Sequence, residues 1–278
     1  MRTSFQPVCH YANQDAATAK VVVISDLHIG SHQTRYLRLW NNLLRELRKG
    51  TYNTLVINGD FGDYRASDAE EVTNAIQERI NEVVGIKPPI RIHIIRGNND
   101  TVKPLNALFV HYLLEPQSRG CFSVSDILLM GKDVAFIHGD EDLYLKERML
   151  HSAEDVRHYW KDKVKPNGHF SHPEDYPEKI KKVDKMLRGG LIDMSDEKYQ
   201  SINHVFMGHI HPKEPVLLHQ CGNKYFHVTN PPFAGTTATF MELRFDEQGY
   251  AKTPRIMHFD NADRLTEYTP SRDLLTVS

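Results

Sequence analysis

The stretch KVVVISDLHIG, residues 20–30, decides the fold. Lys20 to Ser25 is a β-branched apolar run without polar alternation, the pattern of a strand buried on both faces, as in a parallel sheet covered by helices. The run ends at Asp26-x-His28, which puts two metal-ligand side chains at the carboxyl end of the strand. Ligands of α/β sheets collect outside the carboxyl ends of their strands. The same arrangement recurs four times. Thr54 to Ile57 leads into Gly59-Asp60, Ile90 to Ile95 into Gly97-Asn98, Asp133 to Ile137 into His138-Gly139, and Asn203 to Met207 into Gly208-His209-x-His211. A lone His or Asp in a loop is more often a surface or turn residue. Seven such side chains at five strand ends, each beside a turn-permitting glycine or another ligand, point to metal.

Helical periodicity separates the first strands. Tyr36, Leu37, Trp40, Leu43, Leu44 and Leu47 form an apolar stripe within 34–49. Ser67 with Glu70 reads as a capping box that opens a second helix, whose apolar face runs through Val72, Ala75, Ile76 and Val83. Leu105 to Leu114 reads as a third helix, stopped by Pro116. Strands follow. Phe122 to Leu129 and Asp133 to Ile137 read as a hairpin, and Pro215 to Gln220, Lys224 to Thr229, Thr239 to Phe245 and Arg255 to Phe259 as further strands. The expected fold class is α/β, with two packed β-sheets flanked by helices and the first half parallel. The expected organisation is a polar lead-in over 1–19, a domain over 20–260 and a polar tail over 261–278. A helical insertion over about 141–201, rich in Lys, Glu, Asp and His, is expected to form a cap.

Composition narrows the function. A net charge of −2 over 278 residues lacks the basic footprint of a nucleic-acid-binding domain. Cys9, Cys121 and Cys221 are far apart and form no C-x-x-C pair, so neither a disulfide framework nor a zinc ribbon is expected, and the default setting is the reduced cytoplasm. No apolar run reaches the roughly 18 residues of a membrane span, and 1–19 lacks the apolar segment of a secretory signal. Membrane contact is expected to be peripheral at most.

Mixed Asp, His and Asn donors suit borderline divalent metals. Seven are too many for one ion with an open site and suit two ions that share a carboxylate. The ordered motifs D-x-H (Asp26, His28), G-D-x-x-D (Gly59 to Asp63), G-N-x-D (Gly97 to Asp100), His138-Gly139 and G-H-x-H (Gly208 to His211) resemble those of the calcineurin-like metallophosphoesterase family, over about Lys20 to Phe259. The resemblance implies that Asp26, His28 and His211 hold one metal, that Asn98, His138 and His209 hold the other, and that Asp60 bridges them. It implies an αββα sandwich and a hydrolase that directs a metal-bridging hydroxide at phosphorus, with two divalent ions, manganese first, then iron, zinc, cobalt or nickel. Asp63 and Asp100 complete two motifs, where the family uses them to orient other groups.

Asn99 departs from the His that many members carry in the third motif, where it protonates the leaving oxygen or grips the phosphoryl group. Asn is no acid at neutral pH, although its amide donates hydrogen bonds. General acid help is worth about 10²–10⁴-fold and matters most for a basic alkoxide leaving group. Asn99 therefore favours a phosphodiester or pyrophosphate, and its amide is expected to hold a phosphoryl oxygen. The branch that cleaves UDP-2,3-diacylglucosamine also lacks this His, using Arg, and has a helical insertion in the same place. A nucleotide-diphosphate lipid is thus one candidate among small phosphorylated substrates. Lys182 and Lys213 are candidate phosphate contacts, and His151, His158, His169 and His172 candidate acids. The alternatives are a phosphomonoesterase of the same fold and a non-catalytic scaffold.

Overall fold

The computed structural model describes residues 9–12, 16–31, 35–64, 68–116, 118, 120–139, 176–188, 196–211, 216–229 and 238–269. Its strands form two sheets. The six-stranded sheet contains, in spatial order, Cys9–Ala12 (β1), Ile127–Met130 (β6), Val134–Ile137 (β7), His204–Met207 (β8), Lys224–Thr229 (β10) and Val216–Cys221 (β9). In the seven-stranded sheet, Lys20–Ile24 (β2), Thr54–Asn58 (β3), Arg91–Ile95 (β4) and Phe122–Ser125 (β5) run parallel. On the other side of β2, Ala238–Arg244 (β11), Arg255–Phe259 (β12) and Leu265–Glu267 (β13) add an antiparallel meander.

The period-2 geometry of each strand divides its side chains between two layers. Val22 and Ile24 of β2 face a core shared with Tyr36–Arg48 (α1), Ala69–Val84 (α2) and Lys103–Leu114 (α3). Val21 and Val23 face a second core between the sheets, with Val56, Leu128, Phe136, Phe206 and Met241. The far face of the second sheet presents Ile127, Leu129, Ala135, Ile137, Val205 and Met207 to a third core. Tyr176–Arg188 (α4) covers that face with Tyr176, Ile180, Val183 and Leu187, and Asp196–Ser201 (α5) adds Tyr199. Three apolar layers between four layers of secondary structure make the αββα sandwich, and they explain why the strands read as continuous apolar runs.

Four details differ from the sequence reading. The run from Phe122 to Leu129 is two strands, one in each sheet. The chain crosses at Asp126, fully buried, whose two carboxylate oxygens accept from Arg96 Nε and Nη2 at 2.9 Å each. Within the lead-in, Cys9–Ala12 is an edge strand parallel to β6. Within the tail, Leu265–Glu267 closes the other sheet. The N-cap of α2 is Asp68, whose carboxylate accepts from the backbone N–H of Glu70 and Glu71. Of the insertion expected over about 141–201, 141–175 and 189–195 lie outside the described residues; within it, α4 packs on the second sheet.

The Arg96–Asp126 pair carries a prediction. Asp126 is buried and Arg96 half-buried, and losing a hydrogen-bonding partner of a charged group costs about 1.5–3 kcal/mol. Arg96→Ala is expected to lose stability on that scale in urea unfolding, whereas a loss under 1 kcal/mol would show that the crossing does not depend on the pair.

Candidate metal centre

All seven ligand-type side chains lie at one edge of the sandwich, at the carboxyl ends of β2, β3 and β4 in one sheet and of β7 and β8 in the other. The first two loops continue the parallel pairing beyond their strands. Asp26 N–H donates to Gly59 O, His28 N–H to Asp60 O and Ile29 N–H to Phe61 O, each at 3.0 Å, and Asp63 N–H donates to Ile29 O at 2.8 Å. Five ligands (Asp26, His28, Asp60, His209 and His211) have φ between +46° and +66°. That left-handed conformation costs an L-residue about 1–2 kcal/mol and persists only where surroundings enforce it. Two glycines admit the close approach of the loops. A Cβ on Gly97 would collide with the backbone nitrogen and carboxylate of Asp60, and one on Gly59 (φ +85°) with the His138 ring.

The donors fall into two groups, Asp26, His28 and His211 in one and Asp60, His138 and His209 in the other, with the ligand atoms of each within 4.8 Å of one another. Asn98 joins the second group through its Oδ1, 3.0 Å from His209 Nδ1. Asp60 reaches both groups. Its Oδ2 is 3.7 Å from His28 Nε2 and its Oδ1 is 3.3 Å from His138 Nε2. His211 Nε2 is 3.0 Å from Asp26 Oδ1 and 3.3 Å from His28 Nε2. Two imidazole nitrogens converging beside carboxylates fit a cation, and the mixed nitrogen and oxygen set fits a dinuclear divalent metal site.

The charges are arranged accordingly. Burial raises the Asp60 pKa, but the His138 ring, through its charge and its hydrogen bond, and then His28 and the Asn99 N–H overcome this and hold it far below the usual carboxylate range. Asp26 is also lowered: burial opposes ionisation, and His138 and His211 outweigh it. Burial pushes His28 down to about 4, and burial with the neighbouring His138 pushes His209 down to about 3. These rings are neutral at pH 7 and present lone pairs, as metal ligation requires. His138 Nδ1 lies 3.0 Å from the carbonyl of Asn58, to which it donates, leaving Nε2 as the ligating atom.

The remaining sequence candidates occupy distinct places. Asp63, buried, has Oδ2 3.9 Å from His28 Nδ1. Asp100 clasps two loops: Oδ1 accepts from Phe61 N–H at 2.9 Å and Oδ2 from Gly97 N–H at 2.9 Å. Burial and the neighbouring Asp60 push its pKa up to about 7. The Asn99 amide, expected to hold a phosphoryl oxygen, donates one N–H to Asp60 Oδ2 at 2.6 Å. Lys182 is exposed on α4, whereas Lys179, three residues earlier, is half-buried and its charge helps to lower His209. Lys213, His151, His158, His169 and His172 lie outside the described residues.

Two supporting residues escaped the sequence reading. Asn58, fully buried, joins the sheets: its Nδ2 donates to Ile137 O, and its carbonyl accepts from His138 and from Ser25 Oγ. Ser25 Oγ also contacts the Asp26 carboxylate. Their signal was a polar residue closing an apolar run, just before a ligand or its glycine.

The depressed histidines set a pH dependence. Above pH 6.5 these rings are neutral in folded and unfolded chains alike. As pH falls from 6.5 towards 4, the unfolded chain takes up protons that His28 and His209 refuse, so stability declines by up to about 1.4 kcal/mol per pH unit for each ring. Asp100, shifted upward, works in the opposite sense between about 3.8 and 7. Metal-stripped protein is expected to lose stability in urea melts between pH 7 and pH 5, with the buried His93 and His227 adding in the same direction; a flat profile would mean that the histidines do not outweigh Asp100.

A family model of calcineurin-like phosphoesterases matches residues 19–213. No curated protein matches the chain. Among solved structures, a dimetal phosphatase from Danio rerio is similar at 11% identity over 90% of this chain and 96% of that chain, with a TM-score of 0.47. The nuclease MPE from Pseudomonas putida aligns at 15% identity over 95% of this chain and 100% of that chain, with a TM-score of 0.39. The phosphoesterase Yfce from E. coli aligns at 16% identity over 84% of this chain and 97% of that chain, with a TM-score of 0.37. The match to residues 19–213 spans all five ligand motifs, and the chain belongs to the calcineurin-like phosphoesterase family.

Proposed function

We propose that this metal-dependent phosphoesterase cleaves a pyrophosphate or phosphodiester in preference to a monoester, using two manganese ions. One observation carries the reading: the third-motif position holds Asn99, whose amide is bound to Asp60 and has no acidic proton. His28 and His209 are neutral, their pKa values pushed down to about 4 and about 3 chiefly by burial. Asp26 and Asp60 are held ionised. Asp100 is shifted upward, to about 7, but both its oxygens are turned to backbone N–H groups.

Two divalent cations, when bound, supply a water of lowered pKa and positive charge for the phosphoryl oxygens. Asp26, His28 and His211 would hold one and Asn98, His138 and His209 the other, with Asp60 between them. The protein's own part is to hold these donors in place and keep them deprotonated. With no acidic proton at position 99 the leaving group must depart as a weak base, which a phosphate or a phenolate does and an alkoxide does not, so the argument bears on pyrophosphates and on diesters with a weakly basic leaving group. The half-buried Lys179 on α4 adds positive charge beside His209 and is the phosphate contact favoured over the exposed Lys182. A nucleoside diphosphate carrying a lipid fits this reading, with the residues around α4 shaping the substrate entrance.

The test is activity of metal-stripped protein with Mn²⁺ restored, on bis-p-nitrophenyl phosphate, the alkyl monoester glycerol phosphate and a nucleoside-diphosphate sugar, with Asp60→Ala as control. Diester or diphosphate cleavage at least tenfold above monoester cleavage is expected, with Asp60→Ala inactive. Stronger monoester cleavage would overturn the substrate class. Silence of a protein that binds no metal would favour a scaffold.

A further inference from the structure

We infer that Asn99 is a positioning residue: it clamps the carboxylate shared by the two cation sites. The inference rests on the two-metal reading above and goes beyond it by assigning this residue to the metal centre and not to the phosphoryl group. Asn99 grips both oxygens of Asp60. Its backbone N–H donates to Oδ1 at 2.9 Å and its side-chain amide to Oδ2 at 2.6 Å. Asn99 is 1% exposed and Asp60 2%, so the contact is inside the protein, where a hydrogen bond to a charged group is among the stronger ones.

The orientation of the amide is fixed by its partner. Flipped, it would set its carbonyl oxygen against Asp60 Oδ2, acceptor against acceptor. The other end of the amide, Oδ1, is therefore directed away from Asp60, buried and without a hydrogen bond from any described protein group. The amide oxygen cannot hold a phosphoryl oxygen, which is itself an acceptor, and the amide nitrogen, although it keeps a second N–H, is placed by its bond to Asp60. Both bonds that Asn99 makes go to the carboxylate.

The neighbouring residue makes the clamp reciprocal. Asp100, on the same turn, takes the backbone N–H of Phe61 directly after Asp60, while Asp60 takes the backbone N–H of Asn99 directly before Asp100. The two loops hold each other by exchanged carboxylates. The Asn99 side chain is the added bond that fixes the rotation of the Asp60 carboxylate, so that one oxygen faces His138 and the other His28. Rotation of that carboxylate would turn an oxygen away from one of the two sites.

The test is Mn²⁺ binding to metal-stripped protein by calorimetry, without substrate, for the parent, Asn99→Leu and Asn99→Ala. Leucine keeps the volume and removes the donor; alanine removes both and serves if leucine fails to fold, with circular dichroism as the check. Partners that orient metal ligands typically account for about 10–100-fold in affinity, and a loss of that size is expected in both variants. The KM for bis-p-nitrophenyl phosphate at saturating Mn²⁺ is expected to stay within about twofold of the parent. Unchanged Mn²⁺ affinity in a folded variant, whether KM rises or kcat alone falls, would overturn the inference. A parent that binds two Mn²⁺ yet prefers monoesters would sink the substrate reading and leave this one standing.

Discussion

The structure depends on keeping two carboxylates charged inside the protein. Asp26 and Asp60 are 0% and 2% exposed. An ion in that position costs several kcal/mol unless it is paired and hydrogen-bonded. Here the compensation is explicit. Asp26 accepts from the backbone N–H of His209, and Asp60 accepts twice from Asn99. Histidine rings crowd the remaining space, but burial keeps His28 and His209 neutral, so they offer lone pairs where positive charge would be needed. Cations complete the balance, and this is why an ordered set of neutral imidazoles and ionised carboxylates implies metal more strongly than any single ligand does.

The backbone bears a cost for the same end. Five ligands sit in the left-handed region, each at about 1–2 kcal/mol. Such strain persists only where rigid surroundings over-determine it. The surroundings are two sheets packed through Val21, Val23, Val56, Phe136 and Phe206, with the Phe136 and Phe206 rings stacked 5.0 Å apart. Asn58 ties the sheets together at the edge where the ligands emerge. The interlayer core thus positions the chemistry, because the ligands of both groups come from both sheets. A shift of one sheet against the other would pull Asp60 from His138.

Much of this was legible in the residues because apolar runs and ligand motifs are local signals. KVVVIS has to be buried on both faces, and helical stripes such as Leu43, Leu44 and Leu47 have to cover something. What was not legible depends on pairing across the chain. Nothing in FSVSDILL announces that a fully buried Asp126 carries the strand from one sheet to the other, since its partner Arg96 lies thirty residues away. CHYA is too short and too polar for an edge strand to be read in it, and its pairing with Ile127–Met130 supplies what its sequence lacks. The direction of the Asn99 amide was equally hidden. Sequence gives its donor and its acceptor, and only the proximity of Asp60 decides which is used.

That decision bears on how the chain differs from relatives with His at this position. A histidine hydrogen-bonded to the ionised Asp60 would be drawn towards its cationic form, adding positive charge at this position. Asparagine makes the same kind of bond to Asp60 without that charge. The exchange leaves the centre more negative, which favours the binding of cations between the two groups of donors.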